Sequence, residues 1–281
     1  RNPNGPADHQ VPVLMVKNIN DNSNIACMLV CSIHPTVLHE DSKLISGDFP
    51  GLSRIYLQQK VLGECCPVLH HTGPAGNQSP RYITKANTFD EARRLGEILG
   101  KAVEKAIAAI QYTDNIQITV KSKLLENLPK RRFPSVDEAQ KKFDDAVGKL
   151  ETLRKNNAPK QEIRTAECDW FGAEEMLTLA KAAESGQLEN AYKLCLPAEI
   201  QVFKIGKWNF VGWQGEIFIE FALEVKRNCP NTFVISVANG ELQGYIVTEE
   251  AFKEGGYEAS NALFSYETGN IFVRETLELL K

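Results

Sequence analysis

The fold is decided by the stretch LPAEIQVFKIGKWNFVGWQGEIFIEFALEVK, residues 196–226. Residues 199–205 and 208–213 are rich in β-branched and aromatic side chains, and the two residues between them, Gly206 and Lys207, suit a hairpin turn. Gly215 then interrupts the strand pattern, and residues 217–226 have the apolar spacing of a helix. Two strands followed at once by a helix indicate a protein that packs helices against a β-sheet.

The rest of the chain alternates in the same way. Strands are predicted over residues 11–16, 25–33, 66–71, 116–121 and 232–238, and helices over residues 51–63, 88–110, 135–153, 170–184 and 270–281. Two of these helices begin with a capping-box pattern, Thr88 with Glu91 and Ser135 with Glu138. The fold class is therefore α/β, with mixed β-sheet flanked by helices. We expect one domain over residues 1–281, with a helical insertion at about residues 124–190.

Composition excludes several classes of function. The 281 residues carry a net charge of −4 with no basic stripe, which argues against a nucleic-acid partner. The charged segment PKRRFP, residues 129–134, is expected to be a solvated loop. No apolar run approaches the roughly 20 residues of a transmembrane helix. Seven cysteines without paired spacing favour a reducing compartment, so we expect a cytoplasmic protein without a thiolate metal site.

Polar residues follow several predicted strands at the point where each strand ends. These are His34, Glu216, Tyr245 and the Gly/Pro-rich loop that contains Ser79. In α/β sheets, ligands bind outside the carboxyl ends of strands, so the four segments could form one site. Each also has an ordinary structural interpretation: a core or loop histidine, a solvated serine, a carboxylate in the first turn of a helix, and a half-buried tyrosine. The residues alone leave both interpretations open.

Four segments resemble the neutral (non-lysosomal) ceramidase family, in family order. They are SIHPTVLHEDSKLISGDFPG, GPAGNQSPR, IGKWNFVGWQGEIFIEFALEVK, and NGELQGYIVTEEAFKEGGYEAS with its two tyrosines, Tyr245 and Tyr257. The resemblance is to a compact branch without the C-terminal immunoglobulin-like domain, and it covers the C-terminal portion of the catalytic domain. Two departures are WQGE where the family has PGE, and Asn77 where aspartate is more usual.

The family consists of zinc-dependent amide hydrolases. The resemblance implies that His34, Glu216 and Tyr245 bind Zn²⁺ and that Tyr257 assists at the substrate carbonyl. It also implies that Ser79 lies in the active site, and that the loop with Gly76 and Asn77 contacts the substrate. Imidazole, carboxylate and phenolate donors suit a catalytic zinc that keeps one position open for water. Such a zinc lowers the pKa of the bound water towards about 7.

One departure from the family predicts a partner. The family takes its first zinc histidine from an upstream motif of the THTHSGPG type, which this sequence lacks. We therefore expect that the domain is completed by an N-terminal portion outside this chain, either a cleaved fragment or a second polypeptide, which supplies a further histidine. Because no apolar docking stretch is apparent, we expect a small soluble amide as substrate. The alternatives are a non-catalytic structural subunit and a metal-independent serine hydrolase that uses Ser79.

Overall fold

A computed structural model describes residues 4–39 and 42–281. Within these ranges the strands are β1 (Val13–Lys17), β2 (Asn24–Cys31), β3 (Val68–Thr72), β4 (Ile118–Leu125), β5 (Ala198–Ile205), β6 (Trp208–Trp213), β7 (Glu216–Ile217), β8 (Thr232–Ile235) and β9 (Tyr245–Ile246). The helices are α1 (Asp48–Leu57), α2 (Phe89–Ala108), α3 (Val136–Lys155), α4 (Lys160–Glu184), α5 (Leu188–Cys195), α6 (Ile219–Asn228), α7 (Glu249–Glu254), α8 (Tyr257–Ser260) and α9 (Glu267–Leu280). A π-helix, Gln58–Leu62, continues α1, and a 3₁₀ helix covers Pro80–Tyr82.

Two sheets of mixed direction form the frame, which confirms the predicted fold class. In the first, β1 is antiparallel to β2, and β2 is parallel to β3. In the second, β4, β5 and β6 are antiparallel neighbours, and β8 lies parallel to β6. The predicted hairpin is confirmed, with Ile205 opposite Trp208. The short strands β7 and β9 pair in parallel as a separate ladder.

Each sheet has its own hydrophobic core. The larger core lies between β5, β6, α6 and α9, and its centre is the fully buried Trp213. The indole Nε1 of Trp213 donates a hydrogen bond to Oγ1 of Thr276 at 2.9 Å, and the ring meets Phe272 edge-on. The smaller core lies between β2, β3, α1 and α2. A buried cluster of Val30, Phe210 and Phe233 joins the two sheets.

The ends of the elements show where local sequence was overridden. Both predicted helix starts are confirmed, since Thr88 accepts from the backbone N–H of Glu91 and Ser135 forms a complete capping box. Helix α4 begins at Lys160, ten residues before the predicted start, and α5 was not predicted. The first turns of α4 are rich in charged residues, and α5 is only eight residues long. In the sequence, helices α3, α4 and α5 follow β4 and precede β5. That they form an insertion remains a prediction.

Two other element boundaries differ from the predicted ones, and at each a polar group forms a hydrogen bond with another segment of the chain. The strand predicted over residues 232–238 ends at Ile235, because the N–H of Ser236 donates to Thr72 O at 3.0 Å. The helix predicted to start at Gly51 starts at Asp48 instead, where Oδ2 accepts from the N–H of Leu38 at 2.7 Å. None of the described helices is long and apolar enough to cross a membrane.

Candidate active site

His34 and Glu216 meet although they lie far apart in the sequence. His34 follows the end of β2, and its backbone N–H donates to Gln78 O at 2.8 Å. Its Nε2 lies 2.7 Å from Oε2 of Glu216, the first residue of β7. The two side chains are 22% and 40% exposed, so the contact lies at an accessible surface of the fold. A histidine and a carboxylate are thus brought together near the protein surface.

Tyr245 is placed beside Glu216 by the backbone. Strands β7 and β9 pair in parallel with Glu216 directly opposite Tyr245, so the two side chains are neighbours. The turn into β7 depends on Gly215, which has φ +83°; a Cβ on this residue would lie 2.9 Å from Leu242 O. The three residues predicted to bind metal therefore come together from two cores, β2 on one side and β7 with β9 on the other.

Tyr257 completes the cluster from the start of α8. Its ring lies edge-on to that of Tyr245, with centroids 6.0 Å apart. Helix α4 packs directly over this position, since a Cβ on Gly172 would lie 3.1 Å from Tyr257 Cα. No sequence pattern predicted this approach of α4, because a glycine within a charged helix has many explanations.

The loop after β3 is locked against β7 and α6. The N–H of Gly76 donates to Ile217 O at 3.0 Å. Asn77 accepts from the N–H of Ile219 at 3.0 Å through Oδ1, and its Nδ2 donates to Glu220 at 2.8 Å. Asn77 thus anchors the start of α6 next to Glu216. Glu220, in the first turn of α6, was not predicted as part of the site, because its contact with Asn77 spans 143 residues and has no local signature.

Ser79 occupies a different kind of position. It is exposed, and its Oγ accepts a hydrogen bond of 3.3 Å from the N–H of Arg81 as the cap of the short 3₁₀ helix. Among the described residues, Ser79 Oγ has no hydrogen bond to a histidine or a carboxylate. A capping hydroxyl without a neighbouring base is not activated as a nucleophile. His70 and His71 lie in β3, and burial lowers the pKa of His70 to about 4.

Glu216 shifts the pKa of each of its titratable neighbours in the cluster. Burial favours neutral His34, but the hydrogen bond and charge of Glu216 outweigh it and raise the pKa of His34. Burial, followed by the charge of Glu216, raises the pKa of Tyr245 far above its usual range. The same two causes raise the pKa of Tyr257. Without a bound cation, both phenols are therefore protonated at neutral pH.

The donor set is compatible with zinc in composition. Imidazole nitrogen, carboxylate oxygen and phenol oxygen converge at His34, Glu216 and Tyr245. Within residues 4–39 and 42–281, no three His, Cys, Asp or Glu side chains cluster as a metal site, so the predicted set depends on the Tyr245 phenol for its third donor. Tyrosine is a less common ligand than the three residue types usual for zinc. The predicted ligand roles stay predictions.

The arrangement of sheets and helices is that of a ceramidase. Neutral ceramidase from Pseudomonas aeruginosa is similar with a TM-score of 0.63 and 15% sequence identity, over 95% of this chain and 45% of that chain. A ceramidase complexed with C2 is similar with a TM-score of 0.63 and 14% identity, over 95% of this chain and 46% of that chain. The chain spans less than half the length of these ceramidases.

The likeness to these structures lies in the fold. At this level of identity the likeness shows nothing about activity, but it confirms the fold that the resemblance to ceramidases implied. No family model and no curated protein matches the sequence.

Proposed function

We propose that this chain forms part of a zinc-dependent hydrolase that cleaves an amide or related C–N bond. The observation that carries the proposal is the meeting of His34, Glu216 and Tyr245, with a 2.7 Å contact between the first two, in a fold shared with ceramidases. Hydrolysis of such a bond requires an activated water and a donor to the carbonyl oxygen. The cluster offers groups of both kinds.

Each residue has a distinct role in the proposal. His34 Nε2, a carboxylate oxygen of Glu216 and the phenol oxygen of Tyr245 would hold the zinc ion. Bound zinc supplies a hydroxide at neutral pH by lowering the pKa of its water. Tyr257, whose pKa is raised, keeps its proton and can donate a hydrogen bond to the carbonyl oxygen as negative charge develops there. The Asn77 loop holds the start of α6, and thereby Glu216, in place.

We further propose that polypeptide outside this chain contributes a zinc histidine. The described residues supply only one histidine to the cluster, and the matched ceramidases are more than twice as long as the part that this chain covers. The additional segment could belong to a cleaved fragment or to a separate subunit. Mass analysis of the native protein together with its zinc content would distinguish a completed site from a lone chain.

The proposed substrate is a small soluble amide. Leu44 and Ile45, in the loop before α1, are 70% and 106% exposed, and further exposed apolar side chains lie elsewhere on the surface, such as Ile118 and Leu124 of β4. Two adjacent side chains make a smaller patch than the several hundred Å² that mark a lipid-binding surface. A short N-acyl amide and a long-chain ceramide should therefore be compared in parallel.

The test is amide hydrolysis by the native protein before and after chelation. We expect activity to disappear with a zinc chelator and to return with added zinc, and we expect E216Q to lower kcat/KM by about 100-fold or more. The matched control is E241Q, because Glu241 is exposed and lies in the loop before Tyr245. Chelator-resistant activity with labelling of Ser79 by a serine-directed probe would contradict the proposal. Unchanged activity in E216Q would point to a structural role for the cluster.

A further inference from the structure

Arg131 lies in the charged segment PKRRFP, which was expected to be a solvated loop. That expectation is wrong for this residue, because its guanidinium is packed inside the fold against the segment that carries Tyr257. We infer that Arg131 is a positioning residue for Tyr257: it fixes the C-terminal end of α8 and so sets where the tyrosine hydroxyl lies. The inference rests on the proposed role of Tyr257 in hydrolysis.

The guanidinium binds the end of α8 through backbone carbonyls. Arg131 Nη1 donates to the carbonyl of Ala259, to that of Ser260 at 3.3 Å and to that of Ala262 at 3.0 Å. The last carbonyls of a helix have no partner within the helix and carry partial negative charge. A cation is therefore favoured at this end. In a helix of only four residues, an external partner replaces most of the missing internal bonds.

The guanidinium is itself held in place. It lies over the ring of Phe252, 4.9 Å from the centroid, and over the ring of Phe133 at 5.4 Å. The backbone on either side of it is tied to the residues after α8, because Arg131 N donates to Leu263 O at 3.1 Å and Ser265 N donates to Pro129 O at 2.8 Å. Burial lowers the pKa of Arg131 to about 10, so it remains charged at neutral pH.

The two residues that precede α8 offer little restraint, in contrast to α4, which packs over Tyr257 itself. Tyr257 follows Gly255 and Gly256, which have φ +81° and +93°, and a Cβ on either would meet nothing within 4 Å. At the anchored end, in contrast, a Cβ on Gly244 would lie 2.1 Å from Asn261 O. The segment whose carbonyls Arg131 binds therefore also packs on Gly244, the residue before Tyr245. Arg131 thus restrains backbone next to both tyrosines of the cluster.

The test combines R131K with Y257F in a double-mutant cycle on the native protein. Lysine keeps the charge but loses the planar fork, so α8 should loosen. We expect R131K to lower kcat about tenfold with KM changed less than about twofold, and to have almost no further effect when Y257F is present. Hydrogen exchange of the amides of residues 257–262 should become faster in R131K. The matched control is R132K, since Arg132 is the next residue in the same segment and is exposed.

The outcomes separate this inference from the proposed function. If R131K and Y257F act additively, or if exchange at residues 257–262 is unchanged, Arg131 does not position Tyr257. If Y257F leaves hydrolysis intact while exchange in R131K is faster, the role of Tyr257 in the proposed function fails and the anchoring stands. Should R131K fail to fold, F252L provides a milder test, because it removes the ring beneath the guanidinium, together with the contact of that ring with Tyr266, and leaves Arg131 in place; unchanged exchange at residues 257–262 and unchanged kcat in F252L would count against the inference.

Discussion

Gly76 allows the loop after β3 to touch the backbone of β7, so its replacement tests whether that contact sets the site. A Cβ in the G76A variant would lie 2.9 Å from Phe218 Cδ1, 3.0 Å from Glu216 O and 3.1 Å from Ile217 C. These distances are about 0.3–0.5 Å shorter than an ordinary contact, and two of the three atoms belong to backbone that cannot rotate away. Since Gly76 does not have a positive φ, the effect would be steric alone.

The expected cost follows from the size of the overlap. Overpacking of this kind lowers the free energy of unfolding by about 1–3 kcal/mol. If the strain is relieved by moving Glu216, a shift of a few tenths of an ångström should lower kcat about tenfold, because a 1 Å displacement can cost about 100-fold. Urea denaturation and amide hydrolysis, measured on the same preparation, would report the two effects separately.

The matched control for G76A is G148A. Gly148 lies on the exposed face of α3, where a Cβ would meet nothing within 4 Å. The control should be neutral or more stable by up to about 1 kcal/mol, with unchanged activity. If G76A were as stable and as active as the wild type, the packing of this loop on β7 would not constrain the site, and the reasoning would be refuted.

Three further predictions concern the cluster and the larger core. E216Q should weaken zinc binding about 10- to 100-fold, measured as the metal retained after dialysis; full retention would remove Glu216 from the ligand set. In metal-free protein, Glu216 raises the pKa of His34, so their contact stabilises the fold fully below about pH 6.5 and this stabilisation is lost as pH rises through the raised pKa. The urea midpoints of wild type and E216Q should therefore converge at high pH. A constant difference between the two midpoints across the pH range would contradict this. Thr276→Val leaves the buried Nε1 of Trp213 without its acceptor and should cost about 1–3 kcal/mol by urea denaturation, whereas an unchanged midpoint would mean that the bond contributes nothing net.

Sequence patterns predicted the elements that are governed by local chemistry. The caps at Thr88 and Ser135, the hairpin at Gly206 and the mixed sheet are all confirmed. The caps and the hairpin turn depend on a few neighbouring side chains, which the sequence displays directly. Helix α5 was missed because it is short and is held by distant segments, as the hydrogen bond from the Tyr192 hydroxyl to Leu263 O shows, and the first turns of α4 were missed because they are rich in charged residues.

The candidate site was predictable only in part. The rule that polar residues gather at strand ends brought His34, Glu216 and Tyr245 into one group, and the structure places them together. The supports behind them were not visible. The contact of Arg131 with the end of α8 spans 128 residues or more, and the approach of α4 to Tyr257 relies on one glycine. Neither has a local signature.

The position of the cluster between two cores would tie the proposed hydrolysis to the cooperativity of folding. His34 belongs to the β2 side, Glu216 and Tyr245 to the β7 side, and the contact that joins them closes a loop of 182 residues. Partial separation of the two sheets would break this contact while each core kept its helices, because local openings need less free energy than global unfolding. In a denaturant titration, enzymatic inactivation would then precede the loss of far-ultraviolet circular dichroism. The interval between the two transitions would measure how firmly the sheets are docked.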